Sequence, residues 1–310
     1  MGVRRIVSEV KASFASGGIA AVAETHAAGR RKSLTYRLLS GLLDFAYPAA
    51  ALLEIMKDVD RQVGELGIVD GSKAVLARLP GSRETAFPPA GEDEIRTRPA
   101  VVFGKHGSVL TPFLVAASLE RPDLKMLAAS YIAKLGPNVA ATMYSVHLPP
   151  PTLRTASRRG ILLRLGAWLT ARIEADVEKD AARRANRASL IQAAEHVRGG
   201  GALLIAPDAR DSKARWRTGI GLLIAHLAGR RADGDEIYLV PYRTWAPIAG
   251  VFHLFSPNPL LRALGKWEYR RPMRVVFAEP LALSVVVART GTDPTAITEY
   301  LEAHYRGLGF

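Results

Sequence analysis

The chain reads as an α/β protein, a mixed central sheet flanked by helices and preceded by an N-terminal helical segment. Beyond residue 87, short apolar runs alternate with helical patterns, which is how a sheet covered by helices is written in sequence. The chain has 310 residues, 48% of them hydrophobic, enough for a sizeable core. Glycine and proline punctuate the runs, as at Gly199-Gly200-Gly201 and Pro80-Gly81, and no internal repeat is present.

In chain order, residues 4 to 24 are expected to be helical, with Ile6, Val10, Phe14 and Ile19 loosely on one side and Gly17-Gly18 weakening the pattern. Arg4 and Arg5 are not followed by an apolar core and a small-residue cleavage site, so no secretory signal is read there. After the basic cluster Arg30-Arg31-Lys32 comes Tyr36 to Met56, apolar but interrupted by Asp44 and Pro48. A spanning helix needs ~20 mostly apolar residues, so the segment is read either as a surface-lying or re-entrant membrane element, with Tyr36 and Tyr47 at the interface, or as a helix packed on the main domain. From Asp58 to Arg98 the chain is polar, and Pro88-Pro89 and Gly91-Glu92-Asp93-Glu94 suggest turns or a linker. The expected division is therefore 1–86, a helical membrane-associating region and linker, and 87–310, the α/β domain.

Within that domain, strands are expected at Val101 to Phe103, Met126 to Ala129, Ala141 to Val146, Leu203 to Ala206, Ile237 to Pro241 and Val275 to Ala278. Helices are expected at 112–120, 159–169, 172–198, 217–230 and 294–306, and Arg183, Arg184 and Arg187 would form a solvated charged face. Gly104 breaks the first of these strands just before His106. A strand's carboxyl end is where open α/β sheets bind ligands, and imidazole is suited to proton transfer near neutrality.

Composition narrows the chemistry. With no cysteine there is no disulfide, thiolate nucleophile or cysteine-ligated metal, which fits a reducing compartment. The other histidines, at 26, 147, 196, 226, 253 and 304, show no metal-ligand spacing, so no metal site is expected. The net charge of +13 favours polyanionic partners. The arginine pairs at 158–159, 183–184, 230–231 and 270–271 are scattered and accompany no nucleic-acid module, so an anionic membrane surface is preferred and no nucleic acid is expected. The expected location is cytoplasmic, peripheral to a membrane.

Two later stretches carry a pattern. The strand Ala202 to Ala206 runs into Pro207-Asp208-Ala209-Arg210, followed by Lys213, Arg215 and Arg217; further on come Tyr238-Leu239-Val240-Pro241 and Val275-Val276-Phe277-Ala278-Glu279-Pro280. A strand with a terminal His, a Pro-acid-Arg loop, a strand ending in Val-Pro and a strand ending in Glu-Pro follow in that order. Over roughly residues 95 to 306 this resembles the glycerolipid (lysophosphatidate-type) acyltransferase superfamily.

The resemblance implies an acyltransferase-like α/β fold and transfer of a fatty acyl group from acyl-CoA or acyl-carrier protein to a hydroxyl of a lysophospholipid or glycerolipid precursor, with no cofactor beyond the thioester donor. In the family a His deprotonates the acceptor and an Asp five positions later orients it; His106 matches, and Thr111 stands at the second place. The family's Pro-Glu-Gly-Thr-Arg is met here by Pro207, with Asp208 for Glu, Ala209 for Gly and Arg210 one position early. His106 would be the general base, and either the Thr111 hydroxyl or a distant carboxylate such as Asp208 would orient it. Backbone amides near Gly107 and Ser108 are candidates for the oxyanion, and Arg210, Lys213, Arg215 and Arg217 for the acceptor phosphate. The alternative is a catalytically impaired protein of the same fold that binds lipid or regulates. Oligomeric state is not legible.

Overall fold

A computed structural model describes residues 3–34, 36–38, 40–41, 49–148, 178–208, 215–229, 236–247 and 250–309. Its strands are β1 (Arg83–Ala86), β2 (Ala100–Gly104), β3 (Lys125–Ala129), β4 (Met143–Val146), β5 (Ala202–Ile205), β6 (Tyr238–Trp245), β7 (Met273–Phe277) and β8 (Leu281–Ala282). They form one mixed sheet in the order β1-β7-β6-β2-β5-β3-β4, with β8 pairing β6. Strands β6, β2, β5, β3 and β4 run parallel, while β7 and β8 lie antiparallel to β6.

The centre of this sheet follows from the apolar run in β2. A strand covered on both faces cannot alternate polar and apolar residues, and all five residues of β2 are buried. Successive side chains point to opposite faces, so Ala100 and Val102 join one core cluster while Val101 and Phe103 join the other. The first cluster is closed by α2 (Ala49–Ala77), through Val59, Val63 and Leu76, by Leu79 just past its end, and by the helix Thr111–Leu119. The second is closed by the helices Lys179–Arg198, Gly219–Ala228, Leu283–Thr290 and Pro294–Gly307.

In chain order the helices are α1 (Val3–Lys32), α2, α3 (Glu92–Thr97), α4 (Thr111–Leu119), α5 (Pro137–Ala141), α6 (Lys179–Arg198), α7 (Gly219–Ala228), α8 (Gly250–Leu254), α9 (Pro259–Glu268), α10 (Leu283–Thr290) and α11 (Pro294–Gly307), with a 3₁₀ turn at Ile132–Leu135. The expected alternating α/β architecture is therefore present. The helix expected over 4–24 continues to Lys32, kinked at Gly18, where a side chain would strike the carbonyl of Lys134.

Several local expectations need correction. The polar stretch from Asp58 to Arg98 has its connections at Pro80-Gly81 and Pro88-Pro89 as expected, but it also holds most of α2, then β1 and α3, the last beginning at Glu92, and β1 is a sheet strand paired in parallel with β7. The boundary near Phe87 falls just after that strand. The strand expected from Ala141 begins only at Met143, because Pro137 starts a short helix that Asp60 caps by accepting from the Val139 amide at 2.9 Å. Tyr36, expected at a membrane interface, is buried, with its hydroxyl 3.1 Å from Nδ1 of His26. Leu52, from the same apolar segment, belongs to the core, and Ile55 packs against it. Residues 42–48, including Tyr47, lie outside the described residues, as do the helical pattern at 159–169 and the first part of that at 172–198. Arg183, Arg184 and Arg187 are exposed on α6. No helix among the described residues is long and apolar enough to cross a membrane.

Candidate active site

β2 leads straight into Lys105 and His106. Gly104 is required at its end, since a Cβ there would run into the carbonyl oxygen of Tyr242 on β6. The loop that follows is held by its own amides. The Lys105 N–H donates to the Tyr305 hydroxyl at 3.3 Å, and that of His106 points to a carboxylate oxygen of Asp208 at 3.4 Å, a long bond. The Gly107 N–H donates back to the Lys105 carbonyl at 3.1 Å, closing a three-residue turn around His106.

Beyond the turn, the buried side chains of Ser108 and Thr111 pin the loop to α4 and β6. The Ser108 amide donates to Thr111 Oγ1 at 3.2 Å, the Ser108 hydroxyl donates to the Pro247 carbonyl at 3.0 Å, and Thr111 Oγ1 lies 3.0 Å from Thr244 Oγ1. Thr111 thus fastens the loop that carries His106. The amides of Gly107 and Ser108, candidates for an oxyanion, have these partners within the loop.

His106 is solvent-exposed by surface area, yet protein crowds it from behind. That crowding lowers its pKa below the ordinary value by desolvating the imidazolium, and water at its open edge works against the effect. The neutral ring is the form that accepts a proton.

Asp208 lies 102 residues beyond His106 in the chain. It comes to the loop because β5 pairs directly with β2 in parallel, so both strands deliver their carboxyl ends to one edge. Asp208 is buried, and it also faces two phenols. Burial above all, then Tyr305 and Asp208, hold the Tyr242 phenol protonated well above its usual range. Burial likewise raises the pKa of Tyr305, whose hydroxyl donates to the Tyr242 carbonyl at 3.0 Å.

Of the four predicted phosphate-binding cations, Arg215 and Arg217 are described and both are exposed; Arg210 and Lys213 lie outside the described residues. Between the two arginines the buried Trp216 packs edge-on against Phe103 of β2, with ring centroids 5.8 Å apart. The Arg217 amide donates to the Pro207 carbonyl at 3.2 Å and closes the base of this loop. Trp216 thereby fastens the segment bearing Arg215 and Arg217 to the strand that presents His106.

The site contains further groups, of which the sequence singles out Lys105 as a cation beside His106 that adds positive potential or points to solvent. Lys105, Arg243, Tyr305, Arg306 and Gly309 line a cavity of about 220 Å³, of which His106 is not a lining residue. Arg243 stacks over Trp245 at 4.8 Å, and Arg306 is paired with Glu302. Arg243 had a weak signal, as the cation that follows the Val-Pro strand; Tyr305 and Arg306, on the last helix, had none. No cluster of three or more potential metal ligands occurs among the described residues.

Chemically, the edge offers an imidazole, a buried carboxylate facing the His106 amide, and the cations of the neighbouring segments. No protein-family model matches the chain, and no curated protein does. Among solved structures, the chain is similar to the crystal structure of the 1-acyl-sn-glycerophosphate (LPA) acyltransferase PlsC from Thermotoga maritima. The identity is 11%, over 88% of this chain and 91% of that one, with a TM-score of 0.44.

Proposed function

We propose that the protein transfers a fatty acyl group from a thioester, acyl-CoA or acyl-carrier protein, to a hydroxyl of a phosphorylated lipid precursor. The observation that carries this reading is His106 at the carboxyl end of β2, with the segment bearing the exposed Arg215 and Arg217 fastened to the same strand by Trp216 against Phe103. A base and a group of cations on one edge suit an acceptor that carries both an alcohol and a phosphate.

In this reading His106 takes the alcohol proton as the oxygen attacks the thioester carbonyl. The C–S bond then breaks, and the thiolate leaves with the proton returned by the imidazolium. The oxyanion is met by the Gly107 amide, which exchanges its bond to the Lys105 carbonyl two residues back for the developing negative charge. Arg215 and Arg217, joined by Arg210 and Lys213, bind the acceptor phosphate. Asp208 and Thr111 hold the loop in register; neither is assigned the proton.

The test is thioester release from long-chain acyl-CoA and acyl-carrier protein, with lysophosphatidate or glycerol-3-phosphate as acceptor. His106→Ala is expected to lower acceptor-dependent release by ~10² to 10⁴. The Arg215→Ala/Arg217→Ala pair is expected to raise KM for the phosphorylated acceptor while thioester hydrolysis stays unchanged. One observation favours the alternative, a lipid-binding or regulatory protein of this fold: the position five residues after His106 carries a hydroxyl spent on Ser108 and Thr244. Vesicle binding without release from any thioester would select it.

A further inference from the structure

Helix α9 presents an apolar stripe that none of the described residues covers. Leu260, Leu264 and Trp267 fall four and three residues apart, hence on one side of the helix, and are 79%, 40% and 61% exposed. Four exposed cations belong to the same element, Arg262 and Lys266 on other sides of the helix from the stripe and Arg270 and Arg271 just past its end. The helix's one carboxylate, Glu268, is turned away to bond Nδ1 of His253 at 3.0 Å. The helix's exposed surface is therefore leucine and tryptophan on one side and positive charge on others, with its acid folded inward.

This face is presented rigidly. Asn258 caps the helix by accepting from the Leu260 amide at 2.9 Å, and Pro259 starts it. On the inner side Gly265 lies so close to the backbone of Leu254 on α8 that a Cβ would collide, and the following Tyr269 is fully buried. A helix fixed this firmly with its bulky apolar side chains outward has no reason within the fold to keep them there.

We propose that α9 docks the protein on anionic lipid bilayers, the stripe entering the headgroup boundary and Arg262, Lys266, Arg270 and Arg271 adding attraction to the negatively charged surface. The charge complementarity selects this occupant. An amphipathic helix with tryptophan and leucine on one side and basic residues on others binds lipid interfaces, and each cation near an anionic surface strengthens it. The location adds a consequence. The α8–α9 hairpin joins the end of β6 to the start of β7, and both ends lie at the edge that bears His106, since β6 runs parallel to β2. The Ser108 hydroxyl donates to the Pro247 carbonyl at the root of this hairpin. Docking would set the His106 edge against the bilayer. That consequence rests on the proposed function, whereas the binding itself does not.

The experiment is cosedimentation of the full chain with vesicles of phosphatidylcholine alone and of phosphatidylcholine with phosphatidylglycerol. The wild type is expected to partition onto the anionic vesicles and much less onto the neutral ones. Leu260→Ser/Leu264→Ser/Trp267→Ser should weaken that binding at least tenfold, and Arg262→Glu/Lys266→Glu should do so mainly at low salt. All substituted side chains are exposed, so unchanged circular dichroism and thermal melting are expected; the charge pair serves alone if the triple variant fails to fold. Thioester release toward a water-soluble acceptor, measured without vesicles, separates this proposal from the catalytic one. Equal binding by wild type and variants, no binding by the wild type, or loss of a self-association by the triple variant in light scattering would each overturn it, the last by showing that the face meets a second copy.

Discussion

A base is useful to an enzyme only while it is uncharged, and the crowding behind His106 favours that form. Release should therefore follow the neutral imidazole, level at neutral pH and falling about tenfold per unit below a pKa displaced downward from ~6.5. With the folded pKa below the unfolded one, the unfolded chain takes up the proton first as pH falls, so this residue's penalty on folding is absent above the unfolded pKa and grows as pH drops toward the folded one. A pH–rate profile, beside denaturation midpoints of the wild type and His106→Asn, checks both halves; a midpoint that rises towards acid pH through this residue would contradict the assignment. Thr111 makes a separate claim at the same scale. Its buried hydroxyl accepts from the Ser108 amide, and Thr111→Val would strand that donor, at about 1–3 kcal/mol in chemical denaturation, with a fall in release as the His106 loop loosens. Thr111→Ser keeps the bond and should restore both. Thr111→Val with full stability would mean that water or another group satisfies the amide.

At the scale of elements, legibility tracks how much of an element's cause is local. β2 announces itself as a continuous apolar run because its burial on both faces is written into its own five residues. β1 reads Arg-Glu-Thr-Ala, with three of its four residues exposed at the sheet's edge, and carries no apolar signal; it is a strand only because β7 pairs with it. Tyr36 misled for the opposite reason. A tyrosine beside a basic cluster suits a membrane interface, but its hydroxyl found His26, ten residues back, and the ring was buried. The site divides the same way. His106 was legible from the glycine that ends its strand, whereas the carboxylate at its amide comes from 102 residues away and the tyrosine at the Lys105 amide from 200. Parallel strand pairing and helix packing bring these groups together, and no short spacing in the chain records it. The α8–α9 hairpin escaped notice because its apolar residues face outward, while a periodic pattern is ordinarily taken to mark the side facing the core.

For the whole molecule the decisive fact is that the two core clusters lie on opposite faces of one sheet. The first is closed by α2, whose Val63 and Leu76 pack in the same cluster as Val102 of β2, Leu114 of α4 and Tyr269. Residues before 87 therefore do more than precede the α/β domain: they cover one face of its sheet and, as β1, supply its edge strand beside β7. Apolar surface stripped of such cover returns to water at a cost of roughly 25 cal/mol per Å², and a domain stable by only ~5–15 kcal/mol cannot bear the loss of an entire covering helix. The full chain is accordingly expected to unfold in one transition by calorimetry, with far-ultraviolet circular dichroism and tryptophan fluorescence reporting the same midpoint. A chain beginning at residue 87 should bind hydrophobic dyes and lose its cooperative melt. Two separable transitions in the full chain, or a truncated chain that melts as sharply as the original, would show that α2 and β1 lie on the sheet without sharing in its stability.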